Sequence, residues 1–248
     1  MRSAASEPGE SAVVLREVLL AGLSVAIVFV VLAILISTGA LPNPQHGEGL
    51  QRALGFLYSP LSLLAGAGLY GLLSRLLDGE VTPPLLPAEQ PPPAVAAVGV
   101  ALLHVALAIL GSFAIGLALQ VVGVPVVEQT QVLEITAGGL GLRPELLLLA
   151  FTALIAAPIA EESLLRGLLF RRLWLQAGPR TAYLVSALAF AAIHGNLRGL
   201  LVYFWLGLVF ARAYALTGRL ACAVVAHVGN NAVTLAVLLF GGSANAAP

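Results

Sequence analysis

The sequence predicts an all-α fold, a polytopic bundle of transmembrane helices. Hydrophobic residues make up 59% of the 248 residues and charged residues only 10%, whereas a soluble domain carries about 25% charge. Uncharged apolar stretches recur along the chain, and each approaches the roughly 20 residues that cross the hydrocarbon core of a bilayer. We count about seven such spans, and an eighth remains open. We therefore expect an integral membrane protein whose surroundings are the lipid bilayer.

The spans divide the chain into a tail and one domain. Residues 1–17 are polar and predict a disordered cytoplasmic tail, and residues 18–241 predict a single transmembrane domain. The proline-rich stretch 78–93 predicts a stiff connector, and residues 126–140 predict a mildly amphipathic segment along the interface. The predicted spans lie at about 18–40, 52–75, 94–122, 145–174, 180–194, 198–216 and 220–240.

The placement of arginines predicts the orientation of the bundle. All twelve basic residues are arginine and the net charge is zero, so the charge balance does not point to nucleic acid as a partner. With Arg166 set aside as intramembrane, eight arginines fall on one side of the seven spans and three on the other. The positive-inside rule then places the N-terminus in the cytoplasm and the C-terminus outside. We expect the tyrosines and tryptophan at 203–214 to face lipid or the interface.

Two adjacent carboxylates and an arginine interrupt the fourth span. Glu161, Glu162 and Arg166 stand in an apolar run, and ionisable groups at such depth usually mark a functional site. Glu162 and Arg166 are four residues apart with the acid first, the favoured arrangement for a helical ion pair. Glu161 is rotated by about 100° from Glu162 and cannot share that arginine equally, so it is the better candidate for a base. Pro158 should kink the helix beside these acids.

Polar side chains on later spans reach a similar depth. Counted at about 1.5 Å per residue from the arginines at the cytoplasmic helix ends, including the pair Arg171–Arg172, the glutamate, histidine and asparagine side chains lie roughly 12–21 Å deep. Scattered structural polar residues would not be expected to agree in this way. We therefore predict one shared site formed by Glu161, Glu162, Arg166, His194, His227 and Asn231.

These residues resemble the motifs of the CAAX-protease and bacteriocin-processing (CPBP) family of intramembrane endopeptidases, which includes the type 2 CAAX prenyl proteases. That family is marked by E-E-x-x-x-R, F-x-x-x-H and H-x-x-x-N on successive transmembrane helices. Here the motifs stand at Glu161 to Arg166, at Phe190 to His194 and at His227 to Asn231. The match covers about 145–240, the predicted catalytic core. The resemblance implies hydrolysis of a peptide bond in a membrane-associated or lipidated substrate.

The resemblance also implies a role for each residue. Glu161, with His194, would activate a water for attack on a peptide carbonyl, and a carboxylate with an imidazole suits such proton transfer. His227 and Asn231 would stabilise the oxyanion, since donors aimed at a developing charge give large stabilisation. Glu162 and Arg166 would orient the base.

Two alternatives stay open at this point. Family members are also labelled metalloproteases, and Glu161, His194 and His227 could hold zinc with an open fourth position. We favour a metal-independent mechanism without a cofactor, because the sequence has no H-E-x-x-H motif. The other alternative is a non-enzyme, either a bacteriocin-immunity-like or a transport protein. Transporters more often show internal repeats, whereas here the polar groups crowd into one half. We expect the protein in a bacterial or archaeal cell membrane.

Overall fold

The protein is a bundle of helices. The computed structural model describes residues 9–44, 50–78, 92–126, 130–139, 141 and 143–241. Within those ranges every regular element is a helix and none is a strand, which confirms the predicted all-α class. The helices are α1 (Glu10–Ser37), α2 (Leu50–Asp78), α3 (Ala94–Val121), α4 (Thr130–Ala137), α5 (Pro144–Ala177), α6 (Pro179–Ile193), α7 (Leu200–Thr217) and α8 (Leu220–Gly241).

Seven of these helices correspond to the predicted spans. In the described part of the chain, six are long and apolar enough to cross a membrane, judged by length and composition. The seventh, α6, is apolar but has only 15 residues, fewer than the roughly 20 that cross a hydrocarbon core. The remaining helix, α4, has 8 residues and lies within the predicted amphipathic segment.

The first helix begins earlier than the sequence predicted. It starts at Glu10, where the acid in the first turn favours the positive end of the helix. The prediction of disorder was therefore wrong for residues 10–17, because Glu17 is fully buried and bonded to other helices. Residues 1–8 and most of the predicted connector, 79–91, lie outside the described residues.

The fifth helix occupies the centre of the bundle and contacts α1, α2, α6, α7 and α8. Pro144 stands in its first turn as predicted, where a missing N–H has no cost. The helix runs through Pro158 and contains two π-helical segments, Thr152–Ala156 and Ser163–Phe170. These flank the regular turns at Ala157–Glu162, and π segments are frequent at functional sites. Gly178, with φ of 86°, then turns the chain into α6.

Small and aromatic side chains fill the space around α5. Phe170, Phe190 and Phe210 are almost completely buried in one continuous apolar core. At Gly207 the helices α6 and α7 approach so closely that a Cβ would lie 2.7 Å from the Cα of Ala187, a contact typical of membrane helix packing. Large apolar side chains of α1 and α3 are instead exposed on the outside of the bundle, as expected of a surface that faces lipid.

A buried polar cluster joins the first two helices to α5. The Glu17 carboxylate accepts hydrogen bonds from Arg172, with Nε to Oε2 at 2.8 Å and Nη2 to Oε1 at 3.4 Å, and from the hydroxyl of Tyr70. Such a forked arginine–carboxylate contact is among the stronger charged hydrogen bonds. Arg171 and Arg172 are only 8% and 3% exposed.

Candidate active site

Glu162 connects two of the three motifs. It is fully buried, and its Oε1 accepts hydrogen bonds from Arg166 Nη1 at 3.0 Å and from His227 Nδ1 at 3.0 Å. The ion pair expected between Glu162 and Arg166 is thus present within one turn of α5. The bond to His227 attaches α8 to the same carboxylate.

Arg166 contacts residues of α5, α6 and α7. It is 0% exposed, and its Nη2 donates to the carbonyl of Gly207 at 2.7 Å. The guanidinium carbon lies 5.0 Å from the centre of the Phe190 ring and 5.8 Å from that of Phe210, within the range of cation–π attraction. Because a buried charge is costly unless paired and bonded, these contacts fix Arg166, and with it Glu162, in one position.

Glu161 has a different environment from its neighbour. It is 9% exposed, and its Oε2 lies 4.0 Å from His227 Nε2, a distance beyond a hydrogen bond. Among the described residues this Oε2 has no hydrogen-bond partner. The two acids are thus distinguished by their contacts: Glu162 is tied to an arginine and a histidine, and Glu161 faces the second nitrogen of that histidine.

His227 lies between the two carboxylates, and its hydrogen bond to Glu162 shows which ring nitrogen carries a hydrogen. A carboxylate oxygen accepts from Nδ1, so Nδ1 carries hydrogen and Nε2 faces Glu161. The ring stacks on Phe210 with centroids 4.7 Å apart and an interplanar angle of 16°. Glu161 and Glu162 thus face opposite nitrogens of one imidazole ring.

His194 caps the C-terminal end of α6 and is half-buried. Its Nδ1 donates to the carbonyl of Phe190 at 2.7 Å, which leaves Nε2 as an acceptor in the neutral ring. Its ring stacks on Tyr203 with centroids 4.0 Å apart. His194 lies within electrostatic range of Glu161 and His227, but its hydrogen bond is to its own helix. The ring of Phe190 contacts both His194 and His227 and so lies between His194 and the carboxylate cluster.

Asn231 contacts α5 at a different place from His227. Its Nδ2 donates to the carbonyl of Ala153 at 2.9 Å, and its Oδ1 accepts from Asn230 at 3.3 Å. Ala153 precedes Glu161 by about 12 Å along a helix axis. The structure therefore brings Glu161, Glu162, Arg166 and His227 into one cluster, places His194 beside it, and engages Asn231 with the backbone.

Several residues that build the site were not singled out from the sequence. Phe190 opens a motif but had no assigned role, and it contacts Arg166, His194 and His227. The expectation that tyrosines at 203–214 face lipid or the interface was wrong for Tyr214. Tyr203 stacks on His194, and Tyr214 is 2% exposed against Phe170. Aromatic residues suit both lipid and a core, so their type alone could not separate the two positions.

The three candidate zinc ligands do not form a metal-binding group in this geometry. Among the described residues, no three histidine, cysteine, aspartate or glutamate side chains come together closely enough to hold a metal ion. The Nδ1 atoms of His194 and His227 are both engaged in hydrogen bonds. Each histidine would have only Nε2 for a metal, as is usual when the other nitrogen donates to a protein oxygen.

The fold and the cluster define a class: a polytopic helical membrane protein with a carboxylate–arginine–histidine centre in its interior. Residues 143–233 match the family described as "Type II CAAX prenyl endopeptidase Rce1-like". The resemblance to CAAX-type endopeptidases is thereby confirmed over this segment, which contains all six predicted site residues. That segment is therefore similar to a family of membrane endopeptidases.

Two curated relatives match part of the chain. It is 33% identical over 84 residues to the putative membrane peptidase YdiL of Bacillus subtilis (strain 168), which is 34% of this chain and 34% of that protein. It is 32% identical over 87 residues to the membrane-embedded CAAX protease MroQ of Staphylococcus aureus (strain USA300), which is 33% of this chain and 35% of that protein. The matches thus span about a third of each relative's length. No solved structure matches the chain.

Proposed function

We propose that the protein is an intramembrane endopeptidase in which Glu161 is the general base. The observation that carries this proposal is the difference between the two adjacent acids. Glu162 accepts two hydrogen bonds through Oε1, from Arg166 and His227, whereas Glu161 lies 4.0 Å from His227 and is not hydrogen-bonded to it. In the described part of the chain, the Oε2 atoms of both acids have no hydrogen-bond partner. Neighbouring carboxylates in unlike environments commonly take different roles, one as a proton-transfer group and one as a fixed charge.

The spacing between Glu161 and His227 suits a nucleophilic water. Glu161 Oε2 and His227 Nε2 are 4.0 Å apart, so one water at about 2.8 Å from each atom can bond to both. Glu161 takes a proton from this water while the water oxygen attacks the carbonyl carbon of the peptide. The tetrahedral intermediate then collapses, the C–N bond breaks, and the proton passes to the leaving amine.

The histidines support this chemistry from two sides. With Nδ1–H bonded to Glu162, a protonated His227 presents Nε2–H toward the reacting centre, where it stabilises the oxyanion. His194, whose Nδ1–H bonds to Phe190 O, has Nε2 available to relay a proton with Glu161. Arg166 holds Glu162 in place and does not reach the substrate in this proposal.

The substrate in this proposal is a peptide or protein at the membrane. A more specific form of the proposal is that this substrate carries a lipid. The family description names CAAX prenyl endopeptidases, which motivates testing prenylated peptides first. The membrane is that of a bacterial or archaeal cell, with the N-terminus cytoplasmic and the C-terminus outside. Two alternatives make different predictions: a zinc enzyme loses activity with its metal, and an immunity or transport protein changes no peptide terminus.

The test begins by finding the substrate. Membrane proteomes of cells with the wild-type protein and with Glu161→Ala are compared for peptide termini that depend on Glu161, and prenylated and unprenylated peptides are offered to purified protein. Glu161→Gln should abolish cleavage while the protein still inserts and unfolds at the wild-type temperature. Glu145→Gln, a carboxylate change in the first turn of the same helix, is the control and should cleave normally. Undiminished cleavage by Glu161→Gln would refute the mechanism.

A further inference from the structure

The carbonyl of Ala153 lies where α5 lacks a backbone donor. At the end of the segment Thr152–Ala156 the helix has π register, because the N–H of Ala157 bonds to the carbonyl of Thr152, five residues earlier. In the same register the donor for Ala153 would be residue 158. That residue is a proline and has no N–H. Inside a bilayer no water replaces such a donor, so the carbonyl needs another partner.

Asn231 supplies that partner from a second helix. Its Nδ2 donates to Ala153 O at 2.9 Å. The amide is itself held, since its Oδ1 accepts from Asn230, which is buried. One turn earlier on the same helix, His227 bonds to Glu162. Two successive turns of α8 therefore bond to α5 on either side of Pro158. Asn231 bonds to the backbone carbonyl of Ala153, and His227 bonds to the carboxylate of Glu162.

We propose that Asn231 is a positioning residue whose side-chain amide donates the hydrogen bond that Pro158, which has no N–H, cannot donate. The amide thereby fixes the π-helical turn that precedes Glu161. This differs from the role in oxyanion stabilisation that the family resemblance implies. The consequence for the fold stands independently of any activity, whereas the consequence for catalysis rests on the proposed function. In that second part, Asn231 acts through the backbone of α5 and does not touch the reacting atoms.

The proposal predicts that Pro158→Ala makes Asn231 dispensable. Alanine at 158 restores an N–H that can donate to Ala153 O. We would measure thermal unfolding in detergent for the full-length protein, Asn231→Ala, Pro158→Ala and the double variant. Asn231→Ala should lower the Tm by roughly 2–10 °C in the proline background and by much less in the alanine background. Equal shifts in both backgrounds would overturn the proposal.

Two further measurements keep the test decisive. Thr234→Val, which removes a hydrogen bond to Asn230 O within α8, is the matched control and should shift the Tm equally in both backgrounds. If Asn231→Ala alone does not fold, recovery of a folded protein by the added Pro158→Ala supports the proposal. Failure of both variants to fold overturns it, because the new N–H then does not replace the amide.

Single-turnover cleavage separates positioning from oxyanion stabilisation. A positioning role predicts that cleavage lost in Asn231→Ala returns, in the double variant, to within a few-fold of Pro158→Ala alone. An oxyanion donor predicts a loss of about 10²–10³-fold in both backgrounds, and that result would overturn the proposal. If Glu161→Gln retains cleavage, the proposed function fails instead, and the unfolding cycle still decides the role of Asn231 in the fold.

Discussion

At the scale of single residues, Glu161 and Glu162 are neighbours in the chain and face opposite nitrogens of His227, but only Glu162 is hydrogen-bonded to it. A helix turns by about 100° per residue, so only Glu162 has Arg166 one turn later on its own face, and the two form the ion pair. That part of the site follows from spacing alone. The bonds from His227 to Glu162 and from Arg166 to Gly207 join different helices, and local spacing carries no information about them. Motifs could indicate which residues share a site, but not which atoms meet.

The role of His227 can be tested against the zinc alternative. As an oxyanion donor, it supplies one hydrogen bond, so His227→Ala should retain a measurable rate, about 10²–10³-fold below wild type. Single-turnover cleavage and elemental analysis of the purified protein are the two measurements. His104→Ala, at another buried histidine, on α3, controls for the loss of a buried imidazole. The metal-independent mechanism is contradicted if chelation abolishes activity, zinc alone restores it, and His227→Ala releases the bound metal.

At the scale of elements, α5 combines a polar centre with irregular backbone. The π segments on both sides of Ala157–Glu162 change the register of the helix, so faces counted at 3.6 residues per turn do not continue through them. From the sequence, Pro158 predicted a kink beside the acids, and the structure has π-helical segments on both sides of the turns that contain it. The kind of irregular backbone that forms there depends on partners such as Asn231, which lie about 70 residues or more later in the chain. The local sequence pattern could therefore not specify it.

The contact of Glu17 with Arg172 predicts a coupling between α1 and α5. Both side chains are buried and share a forked hydrogen bond, so removing either one leaves a buried charge and should cost about 3–5 kcal/mol. Removing both, as in Glu17→Gln with Arg172→Gln, should cost much less than the sum of the single changes. Thermal unfolding of the four proteins in detergent measures this coupling.

A second acid on the same helix provides the control for that cycle. Glu10 is exposed and bonds to Thr181 on α6, so Glu10→Gln should change stability by at most about 0.5 kcal/mol. It should also add independently to Arg172→Gln. Strictly additive effects of the Glu17 and Arg172 changes would show that the contact does not couple the two helices.

At the scale of the whole molecule, composition predicted the class and the approximate number of helices but not their packing. A helix that is apolar around most of its circumference is equally compatible with lipid and with other helices, and α3 and most of α7 are of this kind. The expectation for Tyr214 therefore failed, while the span positions were close. The early start of α1 was missed for a related reason. In the sequence, Glu17 belongs to a polar N-terminal stretch, and nothing nearby indicates that it is buried. Its partner Arg172 lies far along the chain.

The orientation of the bundle is a prediction of the whole molecule, and it depends on α6. Seven crossings place Ser3 in the cytoplasm and Ser243 outside, but α6 has only 15 residues, close to the lower limit for crossing. In a Cys222→Ala background, which removes the single native cysteine, we would introduce Ser3→Cys, Leu197→Cys or Ser243→Cys. Intact cells are then treated with a membrane-impermeant maleimide. Leu197, 87% exposed after α6, and Ser243 should be labelled, and Ser3 should react only after lysis. Labelling of Ser3 and Ser243 on the same side would mean that one apolar helix, with α6 the first candidate, enters the membrane without crossing it.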